Sequence, residues 1–228
     1  MDMGGIFAHA GAAFKAIGFA FSPLVLLPFI YILLHNSSRL RDFSNIFIQL
    51  IDSLSYWIGE MAKWLLPILV LTIAFSVFAL SIFGQSWTKL FESAEYLHAS
   101  VIMLGAAATL LAGQHVRVDI FHTRMPPRSR AWVDFIGFYV LLLPVCLIIL
   151  WNSQSFISFS WQILEGSAEA DGIRGEYLLK TLIPIFAIMM IAQGLAIATR
   201  AAMCITGQTG PERPPHTPPF FKTTERGL

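Results

Sequence analysis

The residues best placed to do chemistry lie in "QHVRVDIFHTRMPPRSR", where His115, Arg117 and Asp119 alternate with Val116 and Val118. Alternate residues share a side only in an extended chain, which valines favour, so Arg117 and Asp119 can either pair within the loop or bond a partner chain. Glu92 and Glu95, three apart, share one face of a helix and read either as a solvated helix end or as a contact surface. Glu165, Ser167, Glu169 and Lys180 in "EGSAEADGIRGEYLLK" either order that connection or meet an outside protein.

None of these sets makes an enzyme. Paired carboxylates act as acid and base only across a substrate cleft, and here every acid borders an uncharged run, while no Ser/His/Asp set assembles inside one. A b-type haem would want two facing histidines, yet His98 is alone within a clear run. Cys146 and Cys204, the only 2 cysteines, lack a Cys or His at metal-ligand spacing and read as small apolar fillers. The expectation is no catalytic group, no metal and no cofactor. With a net charge of +1 and no basic patch, nucleic acid is not an expected partner either.

The elements that hold these residues follow from composition. Of the 228 residues 56% are hydrophobic and 13% charged, with mean hydropathy +0.66, against roughly 25% charged in soluble domains. A bilayer core of about 30 Å takes roughly 20 apolar helical residues, and a charge at its centre costs about 2.5–3.5 kcal/mol. Uncharged runs therefore predict spans over Trp64–Phe83, Tyr96–Gly113, Phe135–Trp151 and Thr181–Thr199. Trp64, Trp87, Tyr96, Trp132, Trp151, Trp161 and Tyr177 fall at or beyond their ends, where amphipathic rings prefer the headgroups.

A further hydrophobic segment, residues 16–38, is long enough to cross but contains Pro23 and Pro28, so it reads either as a kinked span or as a hairpin that dips and returns. It fits a signal peptide poorly, because Lys15 is the only positive charge ahead of it and no small-x-small site follows. Over residues 39–63, Phe43, Ile46, Phe47, Leu50, Leu54 and Met61 recur at helical steps opposite Asn45, Gln49, Asp52 and Ser53. That stripe predicts an amphipathic helix lying in the membrane interface, or else a cytosolic extension packed on a partner.

The expected fold is thus an all-α membrane protein: a four-helix transmembrane core, an extra N-terminal hydrophobic helix and an interfacial amphipathic helix. Its parts are a tail (1–15), the extra segment (16–38), the amphipathic helix (39–63), the four-span region (64–204) and a Pro- and Gly-rich tail (205–228). Arg39, Arg41 and Lys63 precede the first clear span, Lys89 follows it, and Arg117, Arg124, Arg128 and Arg130 follow the second. By the positive-inside bias the Arg117 loop and the C-terminus are cytoplasmic.

"HVRVD" after a small-residue-rich helix, followed by "PPRSRAWVDFIGFYVLLLP", resembles the small membrane subunit of tripartite ATP-independent periplasmic (TRAP) transporters, the DctQ-like permeases. "WTKLFESAEYLHA", "SWQILEGSAEADGIRGEYLLKTLIP" and "QGLA" at Gln193 agree in order, and the likeness covers about residues 51–200. The resemblance implies the bacterial inner membrane, a large permease subunit that forms the pathway, and a soluble periplasmic substrate-binding protein that delivers an organic anion. It also implies drive by an ion gradient, generally sodium. It places His115, Arg117, Asp119 and the outer residues Glu92, Glu95, Glu165, Ser167, Glu169 and Lys180 at partner contacts. A structural or assembly subunit of another membrane complex is the competing reading.

Overall fold

The structure, a computed structural model, describes residues 23–34, 36–84, 86–113, 125–208 and 210–211. Its elements are all helices: α1 (Leu27–Leu33), α2 (Ser38–Phe83), α3 (Thr88–Leu111), α4 (Pro127–Gly137), a π-helical turn (Phe138–Leu142), α5 (Leu143–Gln162) and α6 (Glu176–Ile205). Helix is what this composition must form in lipid, because each backbone N–H and C=O then finds its partner inside the segment. Four helices are long and apolar enough to cross a membrane: α2, α3, the continuous Pro127–Gln162, and α6.

The amphipathic stretch over residues 39–63 and the first span lie in one helix of 46 residues, about 69 Å long at the helical rise. Pro67 removes one donor from its ladder without ending it. Gly84, at φ 61°, supplies the left-handed residue that does end it, its N–H bonding Leu80 O at 3.1 Å.

In the first half of α2 the buried residues are Ser44, Ile48, Asp52, Ser55, Gly59 and Ala62. The apolar stripe Phe43, Ile46, Leu50, Leu54 and Met61 points outward, with Met61 71% exposed. The helix is inside-out relative to a soluble one. Small and polar residues allow close helix approach inside, and large apolar ones face outward.

The third span is irregular for a stated reason. Pro144 has no N–H to give, and the ladder ahead of it widens into the π turn, where Leu143 N–H bonds Phe138 O, five residues back. The turn carries Phe138 onto α6, where a Cβ on Gly194 would lie 2.7 Å from its ring.

α6 is the hub, with Ala187 and most of Gln193–Ile205 buried beneath α1, α2, α3, α4 and α5. Only part of the extra N-terminal segment is described, and that part contains the short α1. Tyr31, fully buried, donates from its hydroxyl to Gln208 Oε1. Tyr139 Oη–H donates to Val25 O at 2.6 Å, and Phe29 meets the rings of Phe135 and Tyr139 at 4.9 and 4.6 Å. The turn past α6 sets Gln208 in place: Gly207, at φ 78°, lets Gln208 N–H reach back to Met203 O at 2.9 Å.

Candidate functional site

Two polar clusters brace α6, one near each of its ends. At the Glu92 end, the Glu92 carboxylate leaves the first turns of α3 and accepts from Ser167 Oγ–H and, at 2.5 Å, from Ile173 N–H. Ser167 Oγ in turn accepts from Glu169 N–H at 3.0 Å. Gly172 is required here, since a Cβ would lie 2.2 Å from the Ser167 side chain and 2.6 Å from Glu92 Oε1. A carboxylate taking several donors is a charge-assisted knot, roughly twice as strong per bond as a neutral one.

Lys180 closes the same connection from the α6 side. Its Nζ stands 2.5 Å from Glu165 Oε2 and 3.4 Å from Glu176 Oε1, and 4.3 Å from the centre of the Phe156 ring. The hydrogen bond from Lys180 holds the Glu165 carboxyl below its ordinary pKa. Trp161 Nε1–H donates to Thr181 Oγ1 at 2.9 Å, and the Trp161 ring meets Tyr177 edge-on at 4.7 Å. α5 enters this turn through Leu164 at φ 47°, a left-handed conformation unusual for a branched residue, with Glu165 N–H bonded to Ser160 O at 2.9 Å.

Glu92, Glu165, Ser167, Glu169 and Lys180 are thus drawn into one connection. Glu95 is left out of it, exposed on α3. His115, Arg117 and Asp119 lie outside the described residues.

The second cluster, near the Arg200 end, was not singled out from the sequence. Asp52 of α2, 1% exposed, receives the Arg200 guanidinium on both oxygens, at 3.3 Å to Oδ1 and more closely at Oδ2. Gln193 Nε2 donates to Oδ1 at 3.0 Å, while its own Oε1 has no partner among the described residues. Gln193 and Arg200 are seven apart, two turns along one face of α6, which lets a single carboxylate take both. A signal is present in the sequence: Ser44, Ile48, Asp52, Ser55 and Gly59, most of them small or polar, recur at helical steps, and this is the face of α2 that packs.

The first cluster fixes α3 and α6 to the connection that precedes α6, and the second fixes α2 to α6. Among the described residues no group of three or more His, Cys, Asp or Glu could hold a metal ion. Cys146 is buried and Cys204 half-buried, both free thiols.

The family model described as tripartite ATP-independent periplasmic transporters, DctQ component, matches residues 69–204. The chain belongs to that family. No curated protein and no solved structure matches it. A DctQ component is the small membrane subunit of a TRAP transporter, and this one is a multi-pass membrane protein. The match opens inside α2 and closes in the last turn of α6, so it takes in most of the first span and the whole of the other three. Tyr31 and Asp52 precede it. The Asp52–Arg200 pair therefore ties the DctQ region to the chain ahead of it.

Proposed function

We propose that this DctQ component braces the large permease subunit and extends the surface on which a periplasmic binding protein docks, in ion-gradient-driven uptake of an organic anion across the bacterial inner membrane. The observation that carries the reading is that the charges near both ends of α6, Asp52–Arg200 and Glu165–Lys180, are paired with one another. Charges engaged this way stiffen a scaffold and are not free to bind a moving ion or anion. The chain acts by binding, not by catalysis. The ordered 163–175 connection, held by Glu92, offers a rigid outer surface that costs little entropy to dock against.

Reconstituted alone in vesicles, the chain is expected to accumulate no organic anion under a sodium gradient. With the large permease and binding protein co-expressed, uptake should appear and the two membrane subunits should co-purify in mild detergent. Transport by the lone chain, or no co-purification, would overturn the role.

The orientation supported by the Lys and Arg pattern has the Pro127 end and the C-terminus cytoplasmic, and a spanning 16–38 segment would then put the N-terminus in the periplasm. In a chain lacking Cys146 and Cys204, single cysteines at Ala170 and Met3 should react with an impermeant thiol reagent in spheroplasts, and one at Ser129 should not. Labelling at 129 without 170 reverses the orientation. Protection at Met3 turns the 16–38 segment into a hairpin.

A further inference from the structure

Ahead of the DctQ match, which opens at residue 69, α2 carries a long outward stripe. Phe43, Ile46, Leu50, Leu54, Trp57 and Met61 follow one another at steps of three and four, each at least half exposed. The same side of the helix continues through the span as Ile68, Phe75 and Ile82, each seven residues on and each exposed. From Phe43 to Ile82 the stripe is about 58 Å long at the helical rise, nearly twice the roughly 30 Å of a bilayer core. An upright α2 would leave its first half in water.

Three features of that half are those of a helix in lipid. Its charges are paired: between Phe43 and Phe83 the charged residues are Asp52, Glu60 and Lys63, with Asp52 on Arg200 and Lys63 Nζ 2.5 Å from Glu60 Oε1. Charges at membrane depth pair in this way. Its small polar side chains turn inward, with Ser44, Asp52 and Ser55 buried where a helix in water would bury the stripe. The apolar exterior also goes round the end of the bundle, since α1 exposes Phe29, Ile30 and Leu33 and α4 exposes Trp132, Val133 and Ile136. One protein partner covers one side, whereas lipid covers all three elements.

One flank of the half is polar. Asp42, Gln49 and Ser53 are exposed along it, with Arg39 and Arg41 exposed just ahead and Arg128 exposed at the start of α4. A helix leaning in a leaflet has one such flank, turned to the headgroups, and turns its apolar stripe to the acyl chains. Exposed arginines at the same end suit anionic headgroups. We propose that the first half of α2, with α1 and α4 around the end of α6, is sunk in one leaflet, the cytoplasmic one by the orientation above. The Phe43–Met61 stripe then lies on acyl chains and the Asp42, Gln49 and Ser53 flank among anionic headgroups. α2 crosses obliquely, and its contact with the hydrocarbon begins near Phe43, not at Trp64.

The test places spin labels on Gln49→Cys, Leu50→Cys, Ser53→Cys and Leu54→Cys in the chain lacking Cys146 and Cys204, reconstituted in vesicles of phosphatidylethanolamine and phosphatidylglycerol. Collision with oxygen reports acyl chains, and collision with a water-soluble nickel chelate reports water. Labels at 50 and 54 should give the oxygen-to-nickel ratio of a Phe75→Cys label in the span. Labels at 49 and 53 should give a ratio severalfold lower, close to that of Asn36→Cys in the turn ahead of α2. All of these variants should melt as the parent chain, because each side chain is exposed.

Nickel-dominated ratios at all four positions would put this half of α2 in water and overturn the proposal. Low collision with both reagents at 50 and 54 would mark cover by protein, and spin–spin broadening that vanishes on dilution with unlabelled chain would mark a second copy; either rejects lipid as the occupant. Chain co-purified with the large permease should show the same pattern, and loss of oxygen collision at 50 and 54 in that complex would transfer the stripe to the permease. Failure to recover the complex would count against the bracing role only, since the lone chain decides the leaflet.

Discussion

Asp52→Ala should be the most damaging single change in the described structure, lowering the stability of the detergent-solubilised chain by about 3–5 kcal/mol. The change removes the carboxylate that receives both Arg200 and Gln193, and leaves a guanidinium 15% exposed with its counter-charge gone. Breaking a buried pair strands a charge, whereas replacing both partners can be nearly neutral, so the triple change Asp52→Leu, Gln193→Leu and Arg200→Met should recover most of the loss. Asp52→Asn should fall between, since it can still accept from the Gln193 amide. Melting followed by size-exclusion chromatography reads all three. If Asp52→Ala melts with wild type, the pair is not holding α2 to α6.

The second large effect is expected at Gly59, where α2 packs directly on Ala108 of α3. A Cβ there would lie 2.3 Å from the Cβ of Ala108, nearer than real carbons sit, and helix backbone, not a flexible side chain, must give way. Gly59→Ala should therefore cost at least the 1–3 kcal/mol typical of overpacking, roughly, although alanine is the better helix former by about 1 kcal/mol. The exchange Gly59→Ala with Ala108→Gly returns the methyl to the other side of the same gap and should restore melting. Such compensation is expected only of residues in contact, so failure of the second change to rescue the first would place the strain elsewhere.

The spans are legible in the sequence because the bilayer imposes its cost residue by residue. Charge-free runs as long as those at 64–83 and 181–199 have few alternatives in lipid, and the helices that contain them, Ser38–Phe83 and Glu176–Ile205, follow. Family membership was legible for a similar reason, since "HVRVD" and the segments at 87–99 and 160–184 are local strings whose order does not depend on packing.

What only the tertiary structure decided is which way each face points and what it meets. Periodicity groups Ser44, Asp52, Ser55 and Gly59 on one side of α2 and Phe43, Leu50 and Met61 on the other. In water the apolar side would turn inward. Beside lipid either side can, and here small size and the partners on α6 won, burying Asp52 against Arg200 148 positions away. The same holds for Glu92 and Glu95, equivalent in the sequence and three apart. Glu92 is taken by the loop that ends at Gly175, 81 positions on at Ile173, and Glu95 is left facing out, because Gly172 and Ser167 give that loop a fold that brings its donors to Glu92 and none to Glu95. Contacts between residues so far apart depend on how helices already formed pack together, which no local pattern specifies.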